Sequence, residues 1–80
     1  MFFYDKKDIG IAIKYFRILN KNMSQKDLAR RLKCSSGQIS RYEHGKVNCT
    51  LERIKEICNI FGISTYQFRE EVERIMRLTN

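Results

Sequence analysis

Residues 24–46 read SQKDLARRLKCSSGQISRYEHGK, two short helices joined by a three-residue turn. Isolated helices shorter than about 12–15 residues are marginal in water, because nucleation is costly. The rest of the chain therefore has to hold this pair. Ser24 is the natural N-cap of the first helix. Asp27, three residues on, completes a shortened capping box and places an acid at the positive end of the dipole. Leu28, Ala29 and Leu32 make one apolar stripe, while Lys26, Arg30, Arg31 and Lys33 point elsewhere. The second helix repeats the signal with Ser35 and Gln38, a Ser-x-x-Gln box. It is anchored by Ile39 and Tyr42 and stopped by Gly45.

A helix with two sizeable apolar anchors leaves Ser36, Gly37, Gln38, Ser40 and Arg41 facing outward. One face is spent on stability, so function can be written on the other.

Eighty residues suit one domain, 1–80, with a small core that oligomerisation would help. Proline is absent, glycine is scarce and the apolar residues fall in helical periods. An all-α fold follows, a compact bundle of five helices. The net charge of +7 is unevenly spread: residues 1–49 hold eleven basic and four acidic side chains, residues 50–80 five of each. Segregation of the whole excess onto the half bearing the helix pair favours a phosphate-binding face over a general solubility device.

Cys34, Cys49 and Cys58 lack Cys-x-x-Cys spacing and His44 is the sole histidine, so no metal site and no cofactor are expected. The thiols should be buried or half-buried in a reducing cytoplasm. Phe2-Phe3-Tyr4 is too short for a signal segment, and no apolar run approaches the ~18 residues a membrane helix needs. With no Ser/His/Asp or Cys/His neighbourhood, an enzyme is not expected.

Asp5 can cap a first helix of about Lys6 to Asn20. Ile9, Ala12, Ile13, Phe16 and Leu19 make one stripe on it, and Ile11, Tyr15 and Ile18 a second. The second stripe is either covered by the chain itself, with Phe2 and Phe3 folding back or the last helix lying over it, or it meets another subunit. Thr50 can cap a helix of about Leu51 to Phe61, with Leu51, Ile54, Ile57, Cys58 and Phe61 inward, and Gly62 with Ile63 ends it as a Schellman motif. Ser64 and Gln67 open a last helix, running to about Leu78, whose stripe is Phe68, Val72, Ile75 and Met76. Its mixed charges suit a two-fold interface, so these four residues are the candidate dimerisation element of helix 64–78; the alternative is packing on their own core.

The pattern Ser24-Gln25, Leu28-Ala29, Leu32, Ser35, Ile39-Ser40-Arg41-Tyr42-Glu43, Gly45-Lys46 resembles the Cro and lambda-repressor type of helix-turn-helix, the xenobiotic-response-element family, from Ile13 to Ile63. Three positions depart from it. Lys33 stands where glycine is usual, Ser36 where glutamine is common, and Gly37 lies inside the recognition helix. Gly37 is either drift at a tolerant site or a missing side chain that lets the helix sit deeper. The resemblance implies double-stranded DNA as the partner, with the second helix in the major groove. Ser36, Gly37 and Arg41 match its base-facing positions, with Gln38 and Ser40 nearby. Gln25 would hold a phosphate at the first helix N-terminus. Lys26, His44, Lys46 and Asn48 surround the motif as further phosphate contacts. Arg41 reads guanine or clamps phosphate. In the family an arginine late in the first helix pairs with the acid ending the recognition helix, here Glu43. Arg17 is the candidate, one residue farther from Gln25 than the usual spacing, which counts against the pair.

The expectation is a cytoplasmic transcription regulator, a repressor in type, acting as a homodimer on a pseudo-palindromic operator. Phage repressors and restriction-modification controller proteins are of this size. An antitoxin or other protein-interaction module that binds DNA secondarily is the alternative. Met1 reads as a start, and Asn80 as the end or as a boundary within a longer regulator.

Overall fold

Asp5, Ser24, Ser35 and Thr50 each accept a hydrogen bond from a backbone N–H two or three residues on, and each opens a helix. Ser64 and Gln67 exchange reciprocal bonds and open the last one. The computed structural model describes residues 4–79 as α1 (Lys6–Leu19), α2 (Gln25–Leu32), α3 (Ser36–Glu43), α4 (Leu51–Phe61) and α5 (Thr65–Thr79). Gly62 closes α4 at φ +71°, and the Ile63 N–H donates to the Cys58 carbonyl at 3.0 Å, the six-to-one bond of a Schellman motif.

All five helices contribute to one core, with Ile13, Leu28, Ile39, Ile54, Ile57, Phe68 and Val72 fully buried. α1 packs on both α3 and α5, α2 crosses α3, and α4 closes against α5. Phe16 joins the ends of these helices, with ring centroids 6.0 Å from Phe68 and 6.5 Å from Phe61.

Three expectations meet the packing here. Phe68, Val72 and Ile75, read as candidate dimerisation residues, lie in the core of their own chain, the alternative kept for them, and Met76 is half-buried against the same core. In a chain this small α5 is needed to finish the core, so its apolar stripe is consumed at home. Leu19 and Leu51 are exposed rather than inward, because the first lies in the last turn of α1 and the second opens α4, both at the edge of the packed layer. The second stripe of α1, with Ile11, Tyr15 and Ile18, stays 40–45% exposed, although Arg74 of α5 lies against the Tyr15 ring. Phe2 and Phe3 lie outside the described residues. Among those residues no helix is long and apolar enough to cross a membrane.

Candidate nucleic-acid interface

The first half of the motif closes as its sequence dictates. Ser24 Oγ accepts from the Asp27 N–H at 3.0 Å, and the Ser24 N–H donates to Asp27 Oδ2 at 3.4 Å. The Ser24 hydroxyl and then its backbone N–H, both beside the Asp27 carboxyl, hold it below the usual carboxylate range. Lys33 ends α2 in the left-handed region, φ +57°, where glycine would sit without strain. Ala29 and Ile39 are buried where α2 and α3 cross. The second capping box is only half made. Ser35 accepts from the Gln38 N–H at 3.1 Å, but the Gln38 side chain turns to Arg41 instead of returning to the cap.

α3 is held from behind by α1. At Gly10 the helices approach so closely that a Cβ would lie 2.2 Å from the Tyr42 carbonyl oxygen and 2.7 Å from that of Glu43. Gly45, at φ +67°, is packed the same way on the Lys7 backbone. Sequence reading missed Gly10. A glycine inside a helix pattern hints at close packing, but only the tertiary structure says against what.

Arg17 and Glu43 do pair. Nε donates to Oε2 at 2.7 Å and Nη2 to Oε1 at 3.0 Å, a bidentate fork whose carboxylate side chain is only 2 % exposed. Nη1 donates to the Met23 carbonyl at 2.7 Å. The extra residue is taken up in the α1–α2 loop, where Lys21 and Asn22 both adopt positive φ and the Met23 N–H folds back onto the Arg17 carbonyl. Gln25, expected on phosphate, has its amide on this pair, with Nε2 donating to Glu43 Oε1 at 2.9 Å. A second clamp, also missed, comes from α4. Arg53 Nη1 donates to the last carbonyl of α2, Leu32, at 3.1 Å. A cation at the helix C-terminus thus ties α4 to α2.

With its back fixed, α3 turns Ser36, Gly37, Arg41 and His44 fully outward and leaves Gln38 and Ser40 half-buried. Arg41 Nε and Nη2 both donate to Gln38 Oε1, at 3.2 and 2.6 Å. That spends one edge of the guanidinium and leaves its far end, Nη1 and one proton of Nη2, free. The place a Gly37 Cβ would take is open, with Arg41 Nη1 3.7 Å away. His44 closes α3 with Nδ1 2.8 Å from the Ser40 carbonyl, so Nε2 points away from the helix. Lys26, Lys46 and Asn48 are exposed beside this face.

Nothing metal-like accompanies it: among the described residues no group of three or more His, Cys, Asp or Glu could hold an ion. Burial pushes the Cys49 thiol up to about 12 and the Cys58 thiol to about 11.

Two short helices crossed by a three-residue turn, the second clamped from behind with a polar face outward, define a helix-turn-helix module. A helix-turn-helix family model (HTH_3) matches residues 13–68, and the chain belongs to that family, of Cro/C1 type. Two solved structures of the clp gene regulator ClgR from Corynebacterium glutamicum are similar to it. One has a TM-score of 0.86 at 26% identity, over 92% of this chain and 78% of that one; the other has 0.82 at 25%, over 89% and 91%. A mutant of the restriction-modification controller protein C.Esp1396I shares the fold, with a TM-score of 0.79 at 24% identity, over 88% of this chain and 92% of that one. No curated protein matches in sequence.

Proposed function

We propose that this protein is a transcription regulator that binds double-stranded DNA as a homodimer, in the manner of a repressor, on a pseudo-palindromic operator. The observation that carries the reading is the division of α3: Ile39, Tyr42 and Glu43 are locked into the protein, while Ser36, Gly37, Arg41 and His44 face solvent. Membership of the family and the likeness to a gene regulator support it.

In this reading α3 enters the major groove. Ser36, Gly37, Gln38, Ser40 and Arg41 face base edges, and Lys26, His44, Lys46 and Asn48 hold phosphates. Gln25 keeps one amide proton and its backbone N–H at the α2 N-terminus for a phosphate, but its first task is to orient Glu43. The free end of the Arg41 guanidinium matches guanine O6 and N7. In a dimer on such an operator the two α3 helices would lie about one DNA turn apart, roughly 34–36 Å.

Selecting bound sequences from a random DNA pool, then measuring Arg41→Ala on single-base variants of the selected operator, tests this. The expected result is a two-fold-symmetric site and the loss of roughly 1–3 kcal/mol of discrimination at one base pair per half-site. A uniform loss over all variants would place Arg41 on phosphate, and recovery of no preferred sequence would end the reading.

A further inference from the structure

We propose that Gln38 acts on DNA through Arg41: its amide oxygen holds the guanidinium in place, which makes the pair a reader of guanine and takes adenine out of the reach of Gln38. The inference rests on the reading of α3 as the recognition helix and names the base that its first turn recognises.

The chain contains the Ser-x-x-Gln pattern twice, and the two copies behave differently. At the start of α5 the Ser64 N–H donates to Gln67 Oε1 at 2.8 Å and the box closes. At the start of α3 Gln38 Oε1 instead accepts from Arg41 Nε at 3.2 Å and Nη2 at 2.6 Å. The difference lies three residues downstream, where α3 has Arg41 and α5 has Glu70. An ionised carboxylate has no proton to give, whereas a guanidinium brings two donors to one oxygen, each bond about twice as strong as a neutral one. Residues three apart are neighbours on a helix surface, so the local sequence sets this choice.

The same bonds aim the reader. Side chains on a helix lean toward its N-terminus, so Arg41 lies back over the first turn of α3. Its Nη1 stands 3.7 Å from the place a Gly37 Cβ would take, and a glycine there leaves the approach to it open. The N-terminal part of a recognition helix is the part that meets base edges. Among the described residues no carboxylate pairs with Arg41, so its charge is unspent. A long side chain loses rotamer freedom when it binds, and Gln38 has removed part of that freedom beforehand.

What the pair presents is donors alone. Arg41 offers Nη1 and one proton of Nη2, while Gln38, with both lone pairs of its oxygen occupied, offers only Nε2. In the major groove guanine shows two adjacent acceptors, O6 and N7, which the end of a guanidinium matches. Adenine sets an acceptor beside a donor, and glutamine reads it with its oxygen and its nitrogen together. Held on Arg41, Gln38 has no oxygen left for that pair.

The test is fluorescence anisotropy of the full chain on the operator selected from the random pool and on its single-base variants. Wild type is compared with Arg41→Ala, Gln38→Met, the double variant and Gln38→Glu. Methionine keeps the length of glutamine without a strong acceptor, and glutamate keeps the acceptor without the amide protons. Gln38→Met should lower the preference for guanine at the Arg41 base pair roughly three- to tenfold, the cost of ordering a free arginine on DNA, and cost no adenine preference anywhere. In the Arg41→Ala background it should change nothing at that base pair. Gln38→Glu should restore the guanine preference, with a uniform loss of affinity from its charge beside the phosphates. Circular dichroism verifies folding, and Gln38→Ala stands in where Gln38→Met fails it.

Gln38→Met as selective as wild type, or Gln38→Glu no more selective than Gln38→Met, overturns the positioning role. Loss of an adenine preference at another base pair in Gln38→Met makes Gln38 a reader in its own right and overturns the proposal as well. A uniform loss in Arg41→Ala puts the guanidinium on phosphate, with the same consequence. In each of these cases operator binding, and with it the regulator reading, stands. Recovery of no preferred sequence ends that reading, and this proposal with it.

Discussion

Replacing Gly10 and Gly37, one at a time, by alanine sets two terms against each other inside one protein. Both glycines sit within helices, where alanine is favoured by about 0.5–1 kcal/mol. At Gly37 nothing opposes that gain, since the nearest atoms to a new Cβ are Arg41 Nη1 at 3.7 Å and Ser35 Oγ at 3.8 Å. At Gly10 the new Cβ would stand 2.2 Å from the Tyr42 carbonyl oxygen and 2.9 Å from the Glu43 carbonyl carbon, all of it backbone at the end of α3. Carbon contacts are comfortable only near about 3.5 Å, so the end of α3 must retreat by about 1 Å.

Arg17 and Glu43 resist that retreat through their buried fork. Overpacking of this kind costs about 1–3 kcal/mol, and here the upper end applies because no flexible side chain can give way. We predict that Gly10→Ala destabilises by about 2 kcal/mol net, lowering Tm by roughly 10 °C, while Gly37→Ala raises it by a few degrees. Thermal and urea melts by circular dichroism measure both. Gly10→Ala as stable as wild type would refute the close approach and the view that α1 is the anvil for α3. The same Gly37→Ala protein separates the two meanings of that glycine. Drift leaves operator affinity untouched, whereas a helix seated deep in the groove loses it in spite of the gain in stability.

The Arg17–Glu43 pair offers a second expectation: Arg17→Met should cost about 3–5 kcal/mol by stranding a buried carboxylate, and adding Glu43→Leu should restore much of it, read in urea melts of the four-membered cycle. Lys33→Gly is predicted to stabilise by about 1 kcal/mol by relieving the left-handed strain at φ +57°; a thermal melt showing no gain contradicts that account. Burial keeps Cys49 and Cys58 protonated with pKa values of about 12 and about 11, so iodoacetamide at pH 8 should label them far more slowly in the folded chain than in urea, as followed by mass spectrometry.

The helix boundaries were legible residue by residue. Asp5, Ser24, Ser35, Thr50 and Ser64 start helices, and Gly45 and Gly62 follow their ends, because capping is a bond between near neighbours that needs no distant partner. The outward set on α3 was legible for the same reason, since Ile39 and Tyr42 fix which side of an eight-residue helix is buried. Where two stripes compete, local pattern is silent. Ile11, Tyr15 and Ile18 on α1 are as apolar as Phe68, Val72 and Ile75 on α5, yet the first set faces solvent and the second fills the core. That choice depends on how five helices divide a small interior, which is a property of the whole packing.

Family spacing argued against the Arg17–Glu43 pair, but two left-handed residues in the α1–α2 loop restored it. The sequence by itself thus determined the elements, their ends and the polar face of the motif, all set within a few residues. Only the tertiary structure decided that Gly10 lets α1 touch the end of α3, that Arg53 ties α4 to the motif, and that the unspent apolar face lies on α1. Each of these depends on groups brought together from 21 or more residues away, and burial, not local propensity, selects between them.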